Sequence, residues 1–405
     1  MSRTAEEWDR PPELPTSHYV SSDIYTDPDL FEAEQRLLKR KAWKFACHES
    51  ELPEIGDYRT LDHSGIPLIV TRSEDGKIRS FVNSCSHRNT KVLRKPAGNA
   101  RRWICLFHHW TYNTQGECVA ISAPEGYANT GVCKENSGLR EVRAATRFGL
   151  VFVNLDDDAP SFDDFVGDAF DGIADVLGAQ ELEVFHYHKA IVEGNWKLWH
   201  ETNMELYHEY LHYVNRRVAM GGEGYFDRKW QIYPNGHGTL TPMKQKYERV
   251  KGWEQRADKP LPGLSPGEFR ILLLFPDTTF LIRTTTFRLD TSTPIGPNRT
   301  LVEQRGFGIK GEPEEEREMR RRHHNQYWGP FGRNFAEDAL AVEALDAAIR
   351  GGAGRWGLFA RCENDRALDD VMVRAYYEEW SRYMGKPAHL PAHGARHGTE
   401  VGAKS

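Results

Sequence analysis

The spacing of apolar positions changes character three times along the chain. Between Asp27 and Trp43, Leu30, Phe31, Leu37, Leu38 and Trp43 follow helical spacing in part, and Asp27-Pro28 supplies an N-cap with proline at the first helical position. From Asp57 to about Asp156 short β-branched or aromatic runs are separated by turn residues, Asp75-Gly76 being the clearest hairpin signal, which predicts an all-β module. A helical pattern returns in SFDDFVGDAFDGIADVLGA, with Ser161 and Asp164 as a capping box, and places a domain boundary there. Beyond Glu181 the chain predicts a strand (EVFHYHKAIVEG), a helix from about Trp196 to Val214, strands through RILLLFPDTTFLIRTTTFRLD and RTLVEQRGFGIKG, and three closing helices. Strands flanked by long helices make the second half an α+β domain. The expected division is an arm and helix over 1–40, a β domain over 41–160, an α+β domain over 161–385 and a tail over 386–405, with both polar ends mobile.

Composition narrows the function classes. At 405 residues, 39% hydrophobic and 28% charged, the chain is neither disordered nor fibrous and is longer than one core usually supports. Its 53 Lys+Arg against 59 Asp+Glu build no field for phosphates, so no nucleic acid partner is expected. No uncharged apolar run approaches the ~20 residues that span a bilayer, and the first residues carry no secretory h-region, so a cytoplasmic protein without a membrane partner is expected. The mixed-charge run from Glu312 to Arg322 reads as a solvated helix face. Six cysteines in such a chain are too few for a disulfide framework, so those near histidines are tested first as metal ligands.

Cys85-Ser-His87 and Cys105-Leu-Phe-His108 sit at the ends of strand-like segments, where two loops can present two ligand pairs to one centre. Two cysteines and two histidines suit zinc or a [2Fe–2S] cluster with both histidines on one iron, and the spacing alone leaves both open. With Arg88 after His87, and His109-Trp110-Thr111-Tyr112 continuing to Gly116, the segment resembles the Rieske signature of ring-hydroxylating oxygenases, C-x-H-R…C-x-x-H-x-W-x-Y…G. Asn89 and His109 stand where that family often has glycine, and the second departure resembles the terephthalate and salicylate hydroxylases, in which that position also varies. Cys118 and Cys133 read as packing residues.

In NWKLWHETNMELYHEYLH, His208 and His212 are four apart and Glu205 three before His208, one face of the predicted helix. An i,i+4 histidine pair is by itself more often packing or surface. Here the surroundings resemble the N-W-K…D-x-Y-H…H segment of the oxygenase catalytic domain, and Asp338 in GPFGRNFAEDALAVE matches the later acidic position, with Glu337 the fallback and His200 a reserve. This chain has Glu at 205 where the family usually has Asp, and three residues rather than four between the histidines.

The resemblance implies an α+β protein: an N-terminal all-β Rieske [2Fe–2S] domain and a C-terminal helix-grip (START-like) catalytic domain with an antiparallel sheet. It implies a cluster on Cys85, His87, Cys105 and His108, a mononuclear Fe(II) on His208, His212 and Asp338, and Glu205 linking His208 to the His108 of a neighbouring subunit. No nicotinamide or flavin fingerprint occurs, so electrons from NAD(P)H are expected through a flavin reductase, a ferredoxin or both. The implied assembly is a homotrimer or an α3β3 hexamer with a small β subunit. Arg288 and Arg374 are candidates for the acid group of a substrate. The expected activity is hydroxylation of a small organic acid with O2, an aromatic carboxylate first. A monooxygenase for an alkylsulfonate or quaternary amine is the alternative, and an electron carrier or zinc-organised binding protein the reading of another class.

Overall fold

The computed structural model describes residues 13–218, 225–250, 252–255, 259–364 and 366–389. Residues 1–12 and 390–405, most of the two ends expected to be mobile, lie outside them. The start of the expected tail is anchored: Ala388 accepts a backbone bond from Ser21, and His389 Nδ1 lies 2.7 Å from the Tyr19 carbonyl oxygen.

The first domain is built on seven antiparallel strands, β1 (Lys44–His48), β2 (Asp57–His63), β3 (Ile66–Arg72), β4 (Ile78–Val82), β5 (Ala97–Asn99), β9 (Glu141–Arg147) and β10 (Leu150–Asn154), in the order β1-β10-β9-β4-β3-β2-β5. A smaller sheet of β6 (Arg102–Ile104), β7 (Thr111–Asn113) and β8 (Cys118–Ala120) stands beside it and carries the loop with Cys105 and His108. The Asp75-Gly76 hairpin forms as expected, with Gly76 at φ +80°, a conformation that favours glycine.

The second domain holds a seven-stranded antiparallel sheet of β11 (Leu182–Val192), β12 (Trp230–Ile232), β13 (Gly238–Lys244), β14 (Glu268–Leu274), β15 (Thr278–Arg283), β16 (Thr286–Gly296) and β17 (Arg299–Ile309), in the order β11-β17-β16-β15-β14-β13-β12. One face receives α4 (Trp196–Glu201), α6 (Glu314–Tyr327) and α7 (Arg333–Arg350); α8 (Val371–Met384) closes the far end. The other face shares a core with the first domain: Trp43, Phe45 and Phe152 pack in one apolar cluster with Phe280, Phe287 and Phe307.

The N-terminal helix α1 (Pro28–Glu34) has the expected Asp27 cap, whose side chain accepts from Asp29 and Leu30, but packs with the second domain. Glu34 is fully buried there, pairing with Lys197 Nζ at 2.7 Å and accepting from the indoles of Trp196 and Trp380. Every one of its contacts replaces water lost on burial, which is what a buried carboxylate requires.

Two expected helices are broken. The pattern after Ser161 forms α2 (Phe162–Val166), a 3-10 turn and α3 (Ala174–Ala179), interrupted at Gly167, which has φ +48°. The predicted helix over 196–214 is α4, a turn, a 3-10 segment at Tyr207–Tyr210, and α5 (Tyr213–Arg217). Thr202 Oγ1 donates to the Trp199 carbonyl, and Glu205 Oε2 takes the backbone N–H of His208. Side chains thereby satisfy backbone groups that a continuous helix would use.

Candidate metal centres and the cleft beside the triad

The two cysteine–histidine loops are near copies of each other. In each, the cysteine N–H donates to the carbonyl five residues on (Thr90, Trp110), and the residue four on (Asn89, His109) donates back to the cysteine carbonyl, all at 2.9 Å. That closure needs a left-handed residue at the fourth position, and Asn89 and His109 have φ +59° and +57°. The two departures from the family pattern thus fall at the two backbone positions where glycine is least strained. The loops bring His87 and His108 to a centroid separation of 4.5 Å, with Cys85 and Cys105 buried beneath. Tyr112 Oη sits 3.1 Å from Cys85 Sγ and accepts from the Ser86 N–H, and Trp110 stacks on His87 at 4.9 Å. His87 Nδ1 is buried without a hydrogen-bond partner. Cys118 is buried as expected, whereas Cys133 is exposed rather than packed.

The second constellation forms although its helix does not. His208 comes from the 3-10 segment, His212 from the residue capping α5, and Asp338 from the second turn of α7. The Nε2 atoms of His208 and His212 lie 3.8 and 3.6 Å from Asp338 Oδ1. Their outer nitrogens are each held by a carboxylate: Glu205 Oε1 lies 2.9 Å from His208 Nδ1 and Glu337 Oε2 2.8 Å from His212 Nδ1. Glu337 also accepts from the Tyr213 N–H. Its two oxygens are thus directed at His212 Nδ1 and the Tyr213 N–H, away from the point where the other three converge. Such carboxylate–imidazole pairs fix ring direction and raise ligand basicity at metal sites. Reserve residue His200 is buried elsewhere, 3.4 Å from Thr279 Oγ1.

Burial and neighbouring charges shift all three groups. Burial pushes Asp338 up to about 7, against the pull of His208 and Arg288, and its Oδ1 has no hydrogen-bond partner. Desolvation opposes protonation of His208, yet the Glu205 carboxylate raises it to about 9. His212 falls to about 3 through burial and the neighbouring His208.

A cleft opens beside the triad, with Arg283, Arg288 and Trp328 in its wall. Arg288 is buried, 2.8 Å from Asp290 Oδ1, and donates to Asn203 Oδ1 at 3.0 Å. Arg283 was not singled out in the sequence and is equally buried, with its guanidinium about 5 Å from the rings of Phe269, Tyr327 and Trp328. Its Nε and Nη1 have no hydrogen-bond partner, and no carboxylate lies within ion-pair distance among the described residues. A hairpin signal could have found it: Arg283 pairs with Thr286 across the Thr284-Thr285 turn, and Leu281, on the same face two residues earlier, pairs with Arg288. Arg374 is not brought to the cleft. Its guanidinium donates to the Phe359 and Arg361 carbonyls and to Asp369 Oδ1, bracing the segment before α8.

Residues 42–134 match the Rieske [2Fe-2S] domain family, and residues 179–386 match the ring hydroxylating alpha subunit (catalytic domain) family. The α subunit of 2-aminobenzenesulfonate 2,3-dioxygenase from Alcaligenes sp is 43% identical, over 96% of this chain and 99% of that one. The chain belongs to the ring-hydroxylating Rieske oxygenase α subunits. The hydroxylase α subunit of methanesulfonate monooxygenase from Methylosulfonomonas methylovora is 40% identical over 95% of each chain. Naphthalene 1,2-dioxygenase from Rhodococcus sp., solved with indole bound, superposes with a TM-score of 0.79 at 22% identity, over 90% of this chain and 94% of that one, and so shares the fold.

A Rieske oxygenase α subunit is an enzyme with a [2Fe–2S] cluster and a mononuclear iron, and it works with a redox partner in an oligomer. The residues present fit both groups. Two thiols and two imidazoles crowd the first loops, with an orphaned His87 nitrogen. Two imidazoles and an unpartnered buried carboxylate oxygen converge at the second. No helix among the described residues is long and apolar enough to cross a membrane.

Proposed function

We propose that this oxygenase hydroxylates a small organic acid with O2, a sulfonate first and an aromatic carboxylate second, and that Arg283 and Arg288 hold the acid group. The observation that carries this is the buried Arg283 guanidinium with two unpartnered N–H donors in the wall of the cleft at His208, His212 and Asp338. A buried cation without a counter-charge is costly, and an anionic substrate removes that cost while offering oxygens to the donor fork. The sulfonates named for the two relatives described above agree with such a wall. Two guanidiniums beside Trp328 would repel a quaternary amine, which an aromatic cage needs acidic company to hold.

In this reading Cys85, His87, Cys105 and His108 hold the cluster, and His208, His212 and Asp338 hold the iron. The bound iron supplies O2 activation, fed with electrons originating in NAD(P)H and passed through a flavin reductase, a ferredoxin or both. Glu205 and Glu337 aim the two imidazoles, the arginines orient the acid, and Trp328 and Phe269 exclude water beside it. The assembly is a trimer, with or without a β subunit. Its support is a pair of exposed apolar rims, Ile104, Leu106 and Phe107 around the cluster loop and Tyr207, Tyr210 and Tyr213 around the triad. Pressed together between subunits they would bring the cluster loop of one against Glu205 of the next.

The test is single turnover of the chemically reduced enzyme with 18O2 and, separately, 2-aminobenzenesulfonate, methanesulfonate, anthranilate and a quaternary amine. Label in a sulfonate product, with a raised KM in Arg283→Met, is expected. Label only in the amine product would overturn the acid reading.

A further inference from the structure

A second cluster of metal-ligating side chains, sharing no residue with the triad, lies between β11 and α6. His186 and His188 are two apart on β11, so both project from one face. His324, on α6, descends onto them: the His186 and His324 rings are 4.9 Å apart, and His186 Nε2 is 3.0 Å from His188 Nδ1. One nitrogen from each of the three lies within 4.8 Å of the others, the same closeness that His208, His212 and Asp338 satisfy.

We propose that His186, His188 and His324 form a three-histidine site for a divalent transition ion such as Zn2+, separate from the catalytic iron. Four observations carry it. A histidine-x-histidine pair on a strand with a third histidine from another element is a donor set that zinc accepts, leaving a fourth position open. Zinc–nitrogen bonds of ~2.0–2.1 Å at tetrahedral angles put ligand nitrogens about 3.3 Å apart, close to the His186–His188 separation. Both nitrogens of the fully buried His324 have no hydrogen-bond partner, so whichever faces His186 and His188 is free for the ion. Imidazoles so placed lack the partners that buried polar atoms normally find.

The fourth observation is a glycine. Gly306, paired with His186 across the strands, lies directly beneath His324; a Cβ there would fall 2.9 Å from its Nδ1. The absent side chain is what lets the His324 ring reach the sheet. Burial lowers the basicity of all three histidines, so little proton release would oppose binding at neutral pH. Arg288 is a cationic neighbour of His188 and His324, and Asp290, ion-paired to it, lies in the same cross-strand row as His188 through Gln304. His186 and His188 are half-buried, which gives an ion a way in. Occupied, the site would pin α6 to β11 behind the arginine wall.

The experiment is Zn2+ titration of the iron-loaded holoenzyme, with iron and zinc counted by mass spectrometry after gel filtration and thermal unfolding followed in parallel. The expected result is about one zinc per chain, with iron unchanged and a higher Tm, falling towards zero in His188→Gln, His324→Gln and Gly306→Ala. His186→Gln and His188→Gln, at half-buried positions, serve if the fully buried His324→Gln does not fold. Zinc that displaces iron atom for atom, or binds equally to His186→Gln, would overturn the proposal, as would no zinc at all. The iron count and Rieske EPR signal report the catalytic centres separately, so failure here leaves the oxygenase reading standing.

Discussion

The two cysteine–histidine loops and the His208–His212–Asp338 triad, proposed to hold the cluster and the iron, are built by opposite strategies. Each cluster loop closes on itself through two backbone hydrogen bonds, and its cysteine and histidine lie within four residues. The triad draws two residues from an interrupted helix and a third from α7, more than a hundred residues later, and its outer carboxylates come one from each segment. A self-closing loop states its chemistry in its own sequence, whereas a site assembled from distant segments depends on the scaffold that sets their separation.

That contrast can be broken most sharply at Asp338. Asp338→Ala should leave two irons and the Rieske EPR signal per chain while turnover is lost, as metal analysis with EPR would check; loss of both centres would mean the two are not independently built. Next in size is the scaffold under α4. Glu34→Ala strands Lys197 in the core and should cost ~3–5 kcal/mol, read by denaturant unfolding. Because α4 leads into the triad, iron retention should fall before the cluster's visible absorption does. Glu337→Ala sharpens the comparison further. Without its carboxylate to aim His212, iron affinity or activity should drop ~10–100-fold with the cluster unaffected, measurable by iron titration and single turnover. The smallest effect belongs to the loops: His109→Gly relieves a left-handed non-glycine residue and should stabilise the first domain by up to ~1 kcal/mol, seen as a small rise in its melting temperature.

The same contrast explains what could be read in advance. The strands of both domains, the caps at Asp27 and Ser161 and the cluster motif are local patterns and appear in the structure. Helical spacing of His208 and His212 pointed to a face of a continuous helix; side chains of Thr202 and Glu205 capture the backbone instead, and the same two rings meet by a different route. Arg374 shares residue type with Arg288 but not environment, since its partner Asp369 is five residues away and claims it locally. Arg283 escaped notice because only the pairing of β15 with β16 reveals that it and Arg288 border one cleft. The strand EVFHYHKAIVEG carries His186 and His188 without marking them, because their third member depends on where α6 lands on the sheet.

Glu337 and Asp338 are consecutive, so their jobs are separated only by the ~100° that one helical residue turns. Gly332 sets that rotation: it caps α7, its N–H donates to the Gly329 carbonyl at 2.7 Å, and a Cβ there would fall 2.5 Å from the backbone of Tyr327 and Trp328. For a protein engineer the interval from Gly329 to Asp338 is therefore a reading frame. Substitutions on its outer side are open to change, but inserting one residue would move Glu337 into the place of Asp338 and Asp338 into that of Ala339, whereas deleting one would move Asp338 into the place of Glu337 and Glu337 to the exposed position of Ala336.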